Sequence, residues 1–174
     1  MSEQAGRYTR STAGLVGAMI VAVAAVVAFV VLRDLNRSDV QTEVPAVDYQ
    51  KVLELSSDQV DFPPVAPATL PDGWTATSVR LTPVPALWHL GVLTDEGRYV
   101  GLEQSRSSEG NMVEKYVDEA AVRGGTVDIG GDTWRIWTDE GGDTALTRVE
   151  NGVTTLVVGT PDQDVLVDYV ESLR

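Results

Sequence analysis

The chain has 174 residues with 13 basic and 26 acidic side chains, a formal net charge of −13 at neutral pH, and no cysteine. The missing cysteine removes disulfides, thiolate metal sites, cysteine nucleophiles and a lipoprotein acylation site together. Only Glu3 among the acidic residues, and Arg7 and Arg10 among the basic ones, precede residue 33, so the remainder is more acidic still and repels the phosphate backbone, which excludes nucleic acid as a partner.

Residues 1–12 form a short polar tail, expected in the cytoplasm. Residues 13–32, AGLVGAMIVAVAAVVAFVVL, follow without a single charge. At about 1.5 Å per residue, a helix of this length spans about 30 Å, the hydrocarbon thickness of a bilayer, so the lipid bilayer is the first partner expected. A cleaved signal peptide has a shorter apolar core and a small-x-small site after it. Here Arg33, Asp34, Leu35, Asn36 and Arg37 follow the core, and the segment reads as a retained signal-anchor. Arg7, Arg10 and the amino terminus face Arg33 and Arg37 across the span. The free amine tips the comparison toward a cytoplasmic N-terminus and an extracytoplasmic C-terminal domain. Gly14, Ala18 and Ala22 form a small-xxx-small stripe that would permit a homodimer through this helix, although alanine is common in such helices without pairing.

Residues 33–69 read as a stalk. Its first part is charged, the stretch around Tyr49, Val52 and Leu53 has only loose helical periodicity, and Pro63, Pro64, Pro67 and Pro71 follow. Prolines at this density favour an extended spacer.

Residues 70–174 carry strand and turn signals of one small domain. WTATSVRLT (74–82), Ala86–Leu93 and Tyr99–Ser105 are rich in β-branched, aromatic and other apolar residues, with Thr94-Asp95-Glu96-Gly97 between the last two. Asn111 and Glu114 form a capping box for a helix over Asn111–Arg123, with Gly124-Gly125 as its stop. Four more strands follow: Thr126–Ile129, Trp134–Trp137, Ala145–Val149 and Val153–Gly159. Gly130-Gly131 and Asn151-Gly152 mark tight hairpins among them. Thr160, Pro161 and Gln163 open a last helix whose apolar stripe is Val165, Leu166, Tyr169, Val170 and Leu173. The order β-β-β-α-β-β-β-β-α implies an α+β domain, an antiparallel sheet with two helices packed on one face.

The candidate chemistry is sparse. His89 is the one histidine, with no nucleophile or orienting carboxylate marked beside it in the sequence. One histidine and no cysteine leave no ordinary zinc set. The acidic turns at Asp95-Glu96 and Asp139–Asp143 lack the alternating spacing of a calcium loop. Phosphate-binding glycine patterns and the G-x-S-x-G elbow are also missing, so no catalytic residue, metal or cofactor is expected. Four tryptophans in a small β-domain ordinarily serve its core, but Trp88, His89, Tyr99 and Trp134 are also the residues that would line a ligand pocket between sheet and helices.

Leu70-Pro71-Asp72-Gly73-Trp74, Trp88-His89-Leu90-Gly91-Val92-Leu93-Thr94, Tyr99-Val100-Gly101-Leu102-Glu103-Gln104-Ser105, Val157-Val158-Gly159-Thr160 and the closing Glu171-Ser172-Leu173 resemble, in that order, the actinobacterial "domain of unknown function 4245" proteins. The resemblance implies one membrane helix, a proline-bearing stalk and one extracytoplasmic domain at the actinobacterial cell membrane. It implies no activity and transfers no functional residue. The expectation is a membrane-anchored, non-enzymatic envelope protein that binds a protein or cell-wall partner. A small-ligand-binding domain is the alternative, and an envelope hydrolase using His89 the weakest.

Overall fold

Strand propensity and turn chemistry agree along residues 75–159, and the computed structural model follows them closely. It describes residues 12–35 and 45–174, and within the first helix the side chains at 16–17, 19–27 and 29. The tail (residues 1–11) and the stretch 36–44 of the expected stalk lie outside the described residues. The chain divides into two units at residue 43.

The first unit contains α1, Thr12–Leu35, a helix of 24 residues. Across its described side chains Val16, Met19, Ile20, Val21, Val23, Val26, Val27 and Phe29 are all exposed. Among the described residues no helix is long and apolar enough to cross a membrane.

The second unit is built on a seven-stranded antiparallel sheet in the order β1-β2-β3-β7-β6-β5-β4. The strands are β1 (Thr75–Pro83), β2 (Ala86–Leu93), β3 (Tyr99–Ser105), β4 (Val122–Ile129), β5 (Asp132–Thr138), β6 (Thr144–Glu150) and β7 (Val153–Gly159). Two meanders, β1–β3 and β4–β7, meet where β3 pairs with β7, Leu102 opposite Val157. Local turns fix each hairpin. Asn151 and Gly152 take φ of 51° and 75°, and Gly130 and Gly131 take 61° and 92°, the doubly positive geometry of the two-residue turns that suit twisted strands. At the β2–β3 turn Gly97 donates to the Thr94 carbonyl at 2.9 Å.

Both sheet faces are covered, which corrects the expectation of two helices on one face. On β7, Val157 joins one apolar layer, whereas its neighbours Leu156 and Val158 join the other. The larger layer packs α4 (Gln163–Glu171) through Leu166, Tyr169 and Val170 against Trp88, Leu90, Leu102, Trp134 and Leu146. The smaller one packs α3 (Glu109–Tyr116) through Met112 and Val113 against Ala145, Leu156 and Val158. Period-two alternation gives β6 and β7 apolar residues on both sides, and each side needs its own helix.

The helix limits also differ from expectation. α3 ends at Tyr116 rather than Arg123. Gly124 and Gly125 lie inside β4, where the pairing with β5 shifts register between Arg123 and Thr126; they serve a bulge at an edge strand, not a helix cap. Ser108, not Asn111, caps α3 by accepting from the Asn111 amide. Asp162 stands at the α4 cap position without a side-chain bond, so Thr160 does not close the expected box.

The largest correction concerns the stalk. Residues 45–69 belong to the folded unit. α2 (Tyr49–Ser56) and a 3-10 turn at Ser57–Gln59 are followed by a proline-bearing strap that crosses the sheet. Tyr49, Phe62 and Ala66 are buried in the larger layer. The Val47 amide donates to the Ala76 carbonyl at 2.9 Å, and Ala66 and Arg174 exchange backbone bonds at 3.3 and 3.2 Å. The Trp88 indole donates to the Val65 carbonyl at 2.8 Å. Prolines keep the strap extended, as expected, but extended backbone with buried apolar side chains is a packed strap rather than a spacer.

Candidate functional site

The strap, the C-terminal end of α4 and the β4–β5 and β6–β7 turns leave a gap in the larger layer. A cleft of about 330 Å³ opens there, with Phe62, Val153, Val170 and Leu173 among its apolar lining and Gln104, Asp132, Trp134, Arg148, Glu150 and Thr155 among its polar and aromatic lining. Arg148 is the cleft's cation. Its Nη1 lies 2.7 Å from an Asp132 carboxylate oxygen and its Nη2 2.7 Å from one of Glu150. This double brace holds the guanidinium in one place on β6, one turn from the Asn151-Gly152 hairpin. Gln104 is buried, and both ends of its amide are engaged: its Oε1 accepts from the Val65 amide at 2.7 Å and its Nε2 donates to Thr155 Oγ1 at 3.1 Å. The strap is therefore stapled to the middle of the sheet just where it borders the cleft. An apolar floor with a few fixed polar groups at its rim is the composition of a small-molecule site.

The sequence-expected pocket residues do not form one pocket. Trp88 and Trp134 lie on the α4 side of the sheet. Trp88 is sealed under the strap at 0% exposure, while Trp134 is 4% exposed and borders the cleft. His89 and Tyr99 lie on the opposite face. There His89 Nδ1 meets Glu103 Oε1 at 2.5 Å, and its Nε2 meets Ser78 Oγ at 2.9 Å. Strand pairing produces this row: Arg80 and Glu103 are the cross-strand partners of His89, and Gly101 is that of Gly91. The Tyr99 ring lies over the two glycines, 3.1 Å from where a Cβ on either would sit. Desolvation, and then the Glu103 charge, push the Tyr99 hydroxyl above its usual 10.0.

Toward α3 the same face carries a second polar chain. Trp137 Nε1 donates to Thr147 Oγ1 at 2.9 Å, Thr147 donates to Glu109 at 2.5 Å, and Arg135 Nη1 reaches both Glu109 oxygens at 2.9 and 3.0 Å. This chain ties the first turn of α3 to the sheet and explains how a helix of only 8 residues stays docked.

Arg148, Asp132, Ser78 and Glu103 were not singled out in the sequence. For the cleft the signal was a charge in the wrong phase: Arg148 and Glu150 share the strand face of the fully buried Leu146. For the row on the other face, counting outward from the Leu93–Tyr99 pair sets His89 opposite Glu103.

The model of the protein family of unknown function DUF4245 matches residues 7–173. The chain belongs to this family. A search of curated proteins returns no match. The matched span includes α1, the strap and both sheet faces, and the family description names no reaction.

Proposed function

We propose that this DUF4245 protein is a single-pass membrane protein of the cell envelope whose outward-facing domain binds an envelope component in the cleft beside Trp134 and Arg148. The observation that carries the binding reading is the cleft itself: a hollow of about 330 Å³ at the edge of the larger layer, with a cation fixed before any ligand arrives. Preorganised polar groups in an apolar hollow cost little to engage. The hollow suits a small molecule or a short cell-wall fragment better than a protein surface, which ordinarily needs about 800 Å² per partner. The anchor reading is supported by the uncharged run 13–32 and by the large apolar side chains exposed between Val16 and Phe29; a helix apolar on every side is stable only where water is excluded.

The test is a titration of the full chain, held in lipid nanodiscs, with soluble cell-wall fragments, followed by tryptophan fluorescence and calorimetry. Binding is expected for the wild type, with Arg148→Ala and Trp134→Ala each weakening it about tenfold, or about 1.4 kcal/mol. Affinity unchanged in both variants would remove the cleft as the seat of binding.

A further inference from the structure

We infer that Ser78 is an activated nucleophile, with His89 as its general base and Glu103 as the carboxylate that orients the imidazole, and that this row attacks acyl esters. It lies on the sheet face opposite the cleft and is independent of ligand binding there.

Geometry comes first. Ser78 Oγ, His89 Nε2, His89 Nδ1 and Glu103 Oε1 form an unbroken relay at 2.9 and 2.5 Å. A nucleophile bonded to a base, and a base bonded to a third group, is the arrangement that recurs on unrelated folds whenever a serine hydroxyl is activated. Exposure is graded along the relay. The Glu103 side chain is 5% exposed, that of His89 13%, and Ser78 is half-buried at the open end. The carboxylate is sealed, and the serine stands at the less buried end. Glu103 Oε2 is buried without a hydrogen-bond partner, a cost that a purely structural ladder would have reason to avoid.

The space around Ser78 Oγ is also arranged. A Cβ on Gly91 would collide with that oxygen and would stand 3.0 Å from the Tyr99 hydroxyl. Both oxygens therefore pack against the Gly91 backbone, where only a glycine fits. The Tyr99 hydroxyl, pushed above its usual value by desolvation and by the Glu103 charge, packs against the same glycine and is the donor assigned to an oxyanion forming beside Ser78.

The step balances with water as the only co-reactant. Ser78 Oγ forms a bond to the ester carbonyl carbon as His89 Nε2 accepts the hydroxyl proton, and the carbonyl electron pair moves to oxygen, where Tyr99 donates to it. The pair returns, the C–O bond to the alcohol breaks, and His89 gives the proton to the departing alkoxide. Water, deprotonated by His89, then hydrolyses the acyl-serine to carboxylate and regenerates Ser78.

The experiment treats the full chain in membranes with a fluorophosphonate probe, maps the adduct by mass spectrometry, and follows p-nitrophenyl ester hydrolysis. A single adduct on Ser78 is expected. It should disappear in Ser78→Ala, ester hydrolysis should slow about 10²–10⁴-fold in His89→Gln, and Tyr99→Phe should slow turnover about 10²-fold with the melting temperature kept. A wild-type protein that acquires no adduct, or one mapped to another residue, overturns the inference whether or not any variant folds. So does a labelling rate that His89→Gln leaves unchanged.

Discussion

Tyr169 stacks on Trp74 with ring centroids 5.9 Å apart and 17° between the planes, yet its hydroxyl is buried without a hydrogen-bond partner. Its aromatic payload is what the core uses, and the oxygen is a liability. Desolvation, followed by the nearby Tyr49 and Tyr99, pushes this hydroxyl far above its usual 10.0. A raised folded-state value means that the group's contribution to stability is complete below the unfolded value of about 10 and is lost as pH climbs through the folded one. Tyr169→Phe is therefore expected to leave the melting temperature at pH 7 unchanged or slightly raised, and to flatten the loss of stability above pH 10. Thermal melts across pH check both; a fall of several degrees at pH 7 would show that the hydroxyl holds something up. At this scale the sequence was informative where chemistry is local. Asn151-Gly152 announced its turn because only residues tolerant of positive φ suit it. Arg148 was missed because the Asp132 that braces it comes from a different strand.

The strap and the two short helices are stable only through what they touch. α2 and α3 have 8 residues each, below the length at which an isolated helix holds in water. Helix signals alone thus overextended α3 to Arg123, whereas pairing with β5 claims the chain from Val122 onward. The strap was read as a spacer from its prolines, a correct inference about backbone conformation and a wrong one about burial. Tyr49, Phe62 and Ala66 are apolar residues without strict periodicity, and extended segments without a ladder leave no periodic trace. A chain beginning at residue 70 is expected to lose these three core residues and the acceptor for the Trp88 indole together. Loss of a large buried side chain such as Phe62 alone costs about 3–5 kcal/mol, so the truncated domain should be unfolded or melt far below one beginning at residue 45. Equal melting of the two by circular dichroism would return the strap to the role of a spacer.

On the scale of the whole molecule, charge and hydropathy are segregated along the chain. The uncharged run at 13–32 precedes a domain that holds nearly all of the 26 acidic residues. If α1 anchors the domain, deletion of residues 13–32 moves the protein from carbonate-washed membranes to the soluble fraction, and protease added to intact cells trims the domain of the undeleted protein. Persistence of the deleted form in washed membranes would contradict the anchor, and protection in intact cells would contradict the outward orientation. The sequence by itself determined the element order β-β-β-α-β-β-β-β-α of residues 70–174 and the turns at Thr94–Gly97, Gly130-Gly131 and Asn151-Gly152, because turn chemistry and alternation act over a few residues. Tertiary structure alone decided the β3–β7 joint, the opposite placement of α3 and α4, and the docking of the strap. Each of these depends on which distant strand becomes a neighbour, and that choice is made by burying both faces of one sheet at once, a condition no local window of residues contains.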